Sequence, residues 1–554
     1  MSGAAAAVSR WTAWDGVSFV IAALVLLPVA ALLLTALSGA AGVASWIGGS
    51  AQALRETALL LAGVAFVAAT MGVLTAWLVT QFRFPGRHAL SFALVLPFAV
   101  PTYISAYSFV EMFDYFGPLQ GALRWLTGYR ARSEYWFPEV RSLPGAVIVT
   151  GLVLYPYVYV ACRAAFGMQG AQLQDAARLL GATRWEALRR VVLPVVWPAL
   201  AASLTLVAFE TLNDIGASQH LGVQTLTVAV YATWLNKGSL AGAAQLALVM
   251  LAVVAALLIA ESGLRRNQKY ASGSRNHRPS APLRLKGWRA ALAILGCALP
   301  VALGFGVPVW VLVDSAWRQV AAEGVAAELW SALGHSLTLA AVATALILIT
   351  AITLAVAGRL TRAASVRQGA LAVAGLGYAL PGTVLVIGLL PAAGGLDRLI
   401  NEVWMNLGGA RIGLILSGSL ALVVLAYGIR FLSIGLGQAR AALDMLSRNT
   451  DYAAATLGAA QLTLVGRILA PAMVAPLSGA AILIFVDCLK ELPATLLLRP
   501  LNVETLATLL YGHAARGSFE DGAVAALLIV AAGLLPLVFA NRLLDAGMTG
   551  LRRA

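Results

Sequence analysis

Twelve stretches of about 20 apolar residues run through this chain of 554 residues. Each is long enough to cross the roughly 30 Å hydrocarbon core of a bilayer. Six lie near 17–38, 57–80, 89–110, 144–162, 195–214 and 240–260. Six more lie near 290–313, 336–358, 369–391, 412–436, 472–490 and 522–540. Hydrophobic residues make up 60% of the chain and charged residues only 11%, where a soluble domain would carry about 25% charged. The expected fold is therefore an all-α integral membrane protein of about twelve transmembrane helices. Pro97, Pro101 and Pro381 fall inside the third stretch of each half and should interrupt it. The first stretch exceeds the roughly 7–15 apolar residues of a signal-peptide core, so it reads as a span that is kept.

Charge sets the orientation. With the N-terminus placed inside, cytoplasmic segments hold 25 Lys and Arg against 7 Asp and Glu, and outer segments and helix ends hold 12 against 17. Such an asymmetry follows the positive-inside rule and puts both termini in the cytoplasm. It also accounts for the net charge of +14 without nucleic acid, because the excess faces anionic lipid headgroups. Cys162, Cys297 and Cys488 are scattered through apolar sequence and make neither a disulfide framework nor a metal spacing. The five histidines are equally dispersed, so no metal site is fixed locally.

The two halves are repeats. Asp175-Ala176-Ala177, Gly181, Val191 and Leu193-Pro194 recur with identical gaps as Tyr452-Ala453-Ala454, Gly458, Ile468 and Ala470-Pro471, 277 residues later. Ala99-Val100-Pro101 pairs with Ala379-Leu380-Pro381, and Thr225-Leu226-Thr227 with Thr505-Leu506-Ala507. Six spans per half return the chain to the same side, so the repeats are parallel. Between them, 261–289 carries eight Lys and Arg among Ser, Gly, Asn and Pro, a composition suited to a flexible linker. The expected division is a first transmembrane domain over 1–260, a basic cytoplasmic linker over 261–289 and a second transmembrane domain over 290–554.

The duplicated Ala-Ala…Gly segment resembles the EAA loop of the membrane subunits of binding-protein-dependent ABC importers, in which a short cytoplasmic helix docks into an ATPase. Small Ala side chains let a groove approach the backbone, and Gly allows the positive-φ turn that ends a short helix. The resemblance implies the type I importer permease fold. Asp175, Ala176, Ala177, Gly181, Tyr452, Ala453, Ala454 and Gly458 would be the docking residues, with two copies of a cytoplasmic ABC ATPase subunit and a periplasmic solute-binding protein as partners. It places the chain in the bacterial inner membrane. The chain contains no Gly-x4-Gly-Lys phosphate loop and no Gly-Lys dipeptide, so ATP and Mg are expected on the partner subunits, with no cofactor in this chain. HExxH and GxSxG are absent too, so no catalytic residue is expected. A self-sufficient secondary transporter could also be built from six plus six helices, but it would need ionisable groups deep in its spans and would leave the paired loops without a purpose.

The run Asp487-Cys488-Leu489-Lys490-Glu491-Leu492-Pro493 and the first-half run Glu210-Thr211-Leu212-Asn213-Asp214 are similar to the fused ferric iron permeases. Fused permeases for thiamine, polyamines and aminoethylphosphonate share much of the pattern. Glu210 with Asp214, and Asp487 with Glu491, are spaced i,i+4, which on one helix would share a face. Intramembrane carboxylates are costly and point to function, and oxygen ligands suit a hard cation. The four are candidates for the translocation path or for contact with the binding protein. A structural knot, with Lys490 pairing Asp487, is the competing reading. The outer segment 111–143 is rich in aromatic residues (among them Tyr115, Trp125, Tyr135 and Trp136), which suits either interfacial anchoring or contact with a binding protein.

Overall fold

A computed structural model of the chain describes residues 13–39, 43–168, 181, 183, 186, 193–266, 283–360, 369 and 372–551. Among these residues, ten helices are long and apolar enough to cross a membrane, and twelve if each of two bent pairs counts as one span. The one ladder among them is a parallel pairing of Phe82–Arg83 with Leu283–Arg284, which fastens the end of the basic linker. Residues 261–266, expected in the linker, continue the helix Leu240–Arg266, and 267–282 lie outside the described residues.

The prolines act where the sequence places them. Helical segments Arg87–Ala99 and Thr102–Thr127 meet at 94°. Val100, between them, is extended at φ −99°, ψ 112°, because the ring of Pro101 disfavours the helical region for its predecessor. Leu380 is extended in the same way before Pro381, at φ −78°, ψ 114°. There a 25-residue helix, Gly382–Asn406, begins.

Several helices run past their apolar stretches (Val43–Gln81 begins before 57 and Ala327–Leu360 before 336), and two neighbouring spans of the second half differ around one loop. The third span of the second half runs to Asn406 rather than ending near 391, and the next begins at Leu420 rather than near 412. Asp397, 1% exposed, accepts hydrogen bonds from the backbone N–H groups of Ile415 (3.1 Å), Leu416 (2.8 Å) and Ser417 (3.0 Å). Asn401 Oδ1 takes those of Ile412 and Gly413. Apolar sequence at 412–416 is thereby held as loop, its donors satisfied by side chains instead of by a helix.

The chain packs as two compact units. One comprises Met1–Ala40, Gly238–Leu248 and Trp330–Leu506. In it the first helix, Ala13–Leu37, lies along Gly382–Asn406. The approach is so close that a Cβ on Gly388 would strike the carbonyl of Pro28. Leu420–Asp444 packs on Ala470–Leu489 in the same unit. The other unit comprises Ala41–Lys237, Val249–Leu329 and Ala507–Ala554. Its centre is the crossing of Val43–Gln81 with Leu143–Met168. Gly63 faces Val147, Gly72 faces Val158 and Gly151 faces Val67, the small-against-branched packing that substitutes for a hydrophobic drive between helices in lipid. Val307–Glu323 packs on Phe519–Leu551 there. Each unit thus contains helices from both sequence halves.

Candidate functional site

In the second copy of the duplicated segment, Ser447 caps a short helix, Arg448–Thr456, its Oγ accepting from Asn449 N–H at 3.2 Å. Tyr452 and Ala453 are exposed, while Ala454 is buried. Gly458 ends the helix at φ +74°, with its N–H on Ala455 O and that of Ala459 on Ala454 O, both at 3.0 Å. No atom lies within 4 Å of a Cβ built there, so Gly458 is required for its left-handed backbone and not for space. In the first copy, Asp175, Ala176 and Ala177 lie outside the described residues. Gly181 is exposed with φ +88°, the same handedness at the equivalent position. Two residues later Thr183 and Glu186 exchange hydrogen bonds, Thr183 N–H to Glu186 Oε2 at 2.9 Å and Glu186 N–H to Thr183 Oγ1 at 3.3 Å, the reciprocal pairing of a capping box.

The second short helix is tied to a span by a residue the sequence reading did not single out. Arg359, in the last turn of Ala327–Leu360, donates from Nε to Asp451 Oδ2 at 2.7 Å and from Nη2 to Oδ1 at 3.1 Å. Its remaining donors reach the carbonyls of Leu443 (2.5 Å), Leu446 (3.2 Å) and Ser447 (3.1 Å). The carbonyls at the C-terminus of Leu420–Asp444 are thus bound by the cation that also grips the carboxylate immediately before Tyr452. Bidentate guanidinium pairing fixes direction as well as distance.

The four acidic candidates divide into two kinds. Glu210 lies on the helix Leu193–Asn213 and Asp487 on Ala470–Leu489, but both helices stop before the second member of each pair. The shared-face expectation therefore fails. Asp214 instead caps the next helix, Ile215–His220, its Oδ1 accepting from Ala217 N–H at 2.9 Å. In the other half, Pro493 opens Pro493–Leu498, and its ring would clash with the Leu489 carbonyl if the preceding helix ran on. Glu491 is 5% exposed and fully engaged. Oε1 accepts from Arg430 Nη1 (3.1 Å) and Ala494 N–H (3.0 Å), and Oε2 from Thr495 N–H (3.1 Å) and Oγ1 (2.8 Å). Thr495 Oγ1 also meets the Tyr427 hydroxyl. At the 277-residue offset Arg430 corresponds to Val153, so the first half carries no cation at the equivalent position. Asp487 pairs with Lys490 at 2.8 Å, as the structural reading anticipated. An arginine inside a span was the available signal for Arg430, since such a charge requires a partner.

The aromatic outer segment is internally braced. Arg124 Nη1 donates to Tyr115 O at 2.7 Å and stands over its ring. The Tyr135 hydroxyl donates to Gln120 Oε1 at 2.7 Å, and Tyr129 stacks on Tyr135. Phe116, Trp125 and Trp136 remain exposed.

Comparison with known proteins gives this geometry a context. Residues 68–266 match the family model for the binding-protein-dependent transport system inner membrane component. The chain is 23% identical over 494 residues to the Fe(3+)-transport system permease protein FbpB 2 of Haemophilus influenzae, covering 88% of this chain and 89% of that protein. It is 31% identical over 215 residues to the sulfate transport system permease protein CysW of Escherichia coli, covering 37% of this chain and 71% of the relative. To the molybdenum transport system permease protein ModB of Escherichia coli it is 26% identical, covering 36% and 87%.

Proposed function

Given that the chain belongs to the family of binding-protein-dependent transport system inner membrane components, we propose that it is the fused permease of a ferric iron importer. It is a multi-pass inner-membrane permease subunit of an ABC importer and not itself an enzyme, since ATP is hydrolysed by separate ATPase subunits. A periplasmic binding protein delivers the cargo. The observation that carries the iron reading is the end-to-end similarity to an Fe(3+)-transport permease, which spans both halves. Similarity to the sulfate and molybdenum permeases reaches little more than a third of the chain.

In this reading both termini are cytoplasmic, and two ATPase copies each take one duplicated loop, with ATP and Mg bound on them. The second loop offers exposed Tyr452 and Ala453, and Arg359 transmits its displacement to the Ala327–Leu360 span. Rigid attachment is what such a transmission requires, because a coupled change must be carried by an element with discrete packed arrangements. Glu210 and Asp487, on the helices themselves, are the carboxylates for the translocation path or for binding-protein contact. Asp214 and Glu491 each cap the short helix that follows.

Uptake by vesicles carrying the permease, the ATPase and the binding protein tests the cargo. Labelled ferric iron should accumulate with ATP, and sulfate, molybdate, thiamine and a polyamine should not. Accumulation of any of these in place of iron would overturn the assignment.

A further inference from the structure

The unit that contains Ala41–Lys237 has a cavity of about 460 Å³ whose lining includes Arg141, Arg516, His220, Gln219, Tyr107 and Tyr511. Among the described residues, no acidic one lines it. In the orientation adopted here its segments, the end of 111–143, the turn after the fifth span and the turn before the last span, all lie on the outer side.

The lining is organised for donation. The Tyr511 hydroxyl donates to Gln219 Oε1 at 2.7 Å, which orients the amide and leaves its NH2 as a donor. Tyr107, buried at the base, meets the His220 ring edge-on at 4.5 Å between centroids. Burial, and then the Arg141 positive charge, pull His220 down to about 4. At neutral pH its imidazole is therefore uncharged and able to donate through one nitrogen. Arg516 Nη2 lies 3.4 Å from His513 Nδ1, and both arginines are exposed. Two arginines, an amide and an imidazole around one concavity match the acceptor-rich surface of an anion. The volume lies in the range of small-ligand sites.

We propose that this cavity binds a small oxyanion of the phosphate or sulfate kind, which enters the translocation path as the counter-ion of the cargo. A trivalent cation would be repelled by Arg141 and Arg516 alone; with a doubly charged anion seated between them the local charge is close to zero. The inference rests on the importer reading for its side of the membrane and its role, while the binding itself is measured without transport.

Full-length chain in phosphatidylcholine nanodiscs, free of iron, ATPase and binding protein, is titrated with radiolabelled inorganic phosphate at pH 7. Saturable binding at one site per chain is expected, with phosphate raising the melting temperature above a chloride control of equal ionic strength. An Arg141→Gln, Arg516→Gln variant should bind at least about tenfold more weakly, since it loses both charged donors. Arg132→Gln, an exposed arginine paired with Glu139 at 3.8 Å, should bind as wild type. Absence of saturable binding and of a melting shift in the wild type overturns the proposal even if the double variant fails to fold. A folded double variant that binds as wild type does the same. So does a wild type that ignores phosphate while the double variant loses affinity for the binding protein, since the arginines would then serve a protein carboxylate. Phosphate binding without iron uptake would remove only the cargo assignment.

Discussion

Arg359 and Asp451, 92 residues apart in the chain, meet at 2.7 Å where the helix Ala327–Leu360 ends and the short helix Arg448–Thr456 begins. Both side chains are largely buried, 7% and 19% exposed. Losing either partner removes charge-assisted hydrogen bonds that contribute roughly 1.5–3 kcal/mol each, and the loss is local to the helix that presents Tyr452. Arg359→Gln and Asp451→Asn are expected to insert normally, retain ATP hydrolysis in the assembled complex and lower the cargo moved per ATP. The check is the uptake-to-hydrolysis ratio in proteoliposomes; a wild-type ratio in both variants would show that the pair does not transmit motion.

The two positive-φ glycines give a harsher test. A bulky residue at Gly181 or Gly458 must adopt a left-handed backbone at a cost of about 1–2 kcal/mol and also fills the approach to the short helix. A Gly181→Trp, Gly458→Trp chain should still reach the membrane, yet lose ATPase co-purification and uptake together. Unimpaired uptake by this double variant would sink the docking role of both loops.

The buried pair of Arg430 and Glu491 should behave as a unit. Arg430→Leu or Glu491→Gln alone strands a buried partner, and breaking such a pair costs about 3–5 kcal/mol. Replacing both, as Arg430→Leu with Glu491→Met, removes both desolvated charges and should recover much of the melting temperature, short of the cap on Ala494 and Thr495. Additive losses in the double variant would mean that the two charges are not coupled.

Acid should destabilise the turn that ends the helix Ile215–His220. The folded value of His220, about 4, lies below the ordinary 6.5, so between these values the unfolded chain binds more protons and stability rises with pH. The contribution is fully present above pH 6.5 and is lost as pH falls toward 4, with an upper bound of about 3 kcal/mol. Melting curves of wild type and His220→Asn from pH 4 to 7 should converge at the acid end; parallel profiles would contradict the shift.

Orientation has a direct test, because Cys162, Cys297 and Cys488 are buried and should not compete for an impermeant thiol reagent. Cysteines introduced at Ser274 and Ser447 are expected to label from the cytoplasmic side alone, and one at Ser133 from outside alone. Labelling of Ser447→Cys from outside would invert the assignment of sides.

Much of the fold could be read from the chain, since lipid permits few solutions to twelve long apolar stretches and proline acts through its own ring. What escaped reading depends on contacts between distant residues. The apolar run at 412–416 looks helical until Asp397 is known to hold its N–H groups. The i,i+4 spacing of Asp487 and Glu491 suggests one helix face, yet Pro493 and the capping of Ala494 and Thr495 end the helix between them. Gly458 was legible because a left-handed turn is a local property. Arg359 was not, because its partner lies at the far end of a different helix.

The partnership of Ala13–Leu37 with Gly382–Asn406 sets an order on synthesis. The first helix leaves the ribosome 345 residues before its partner begins, a delay of roughly 20–70 s at 5–20 residues per second. In that time its partner is Leu240–Arg266, whose Gln245 Nε2 donates to Ala36 O at 3.2 Å. With a mean hydropathy of 2.9 in its best window, and 28% of that window buried even at the end, it is a helix able to wait in the bilayer until the second half of the chain arrives to hold it.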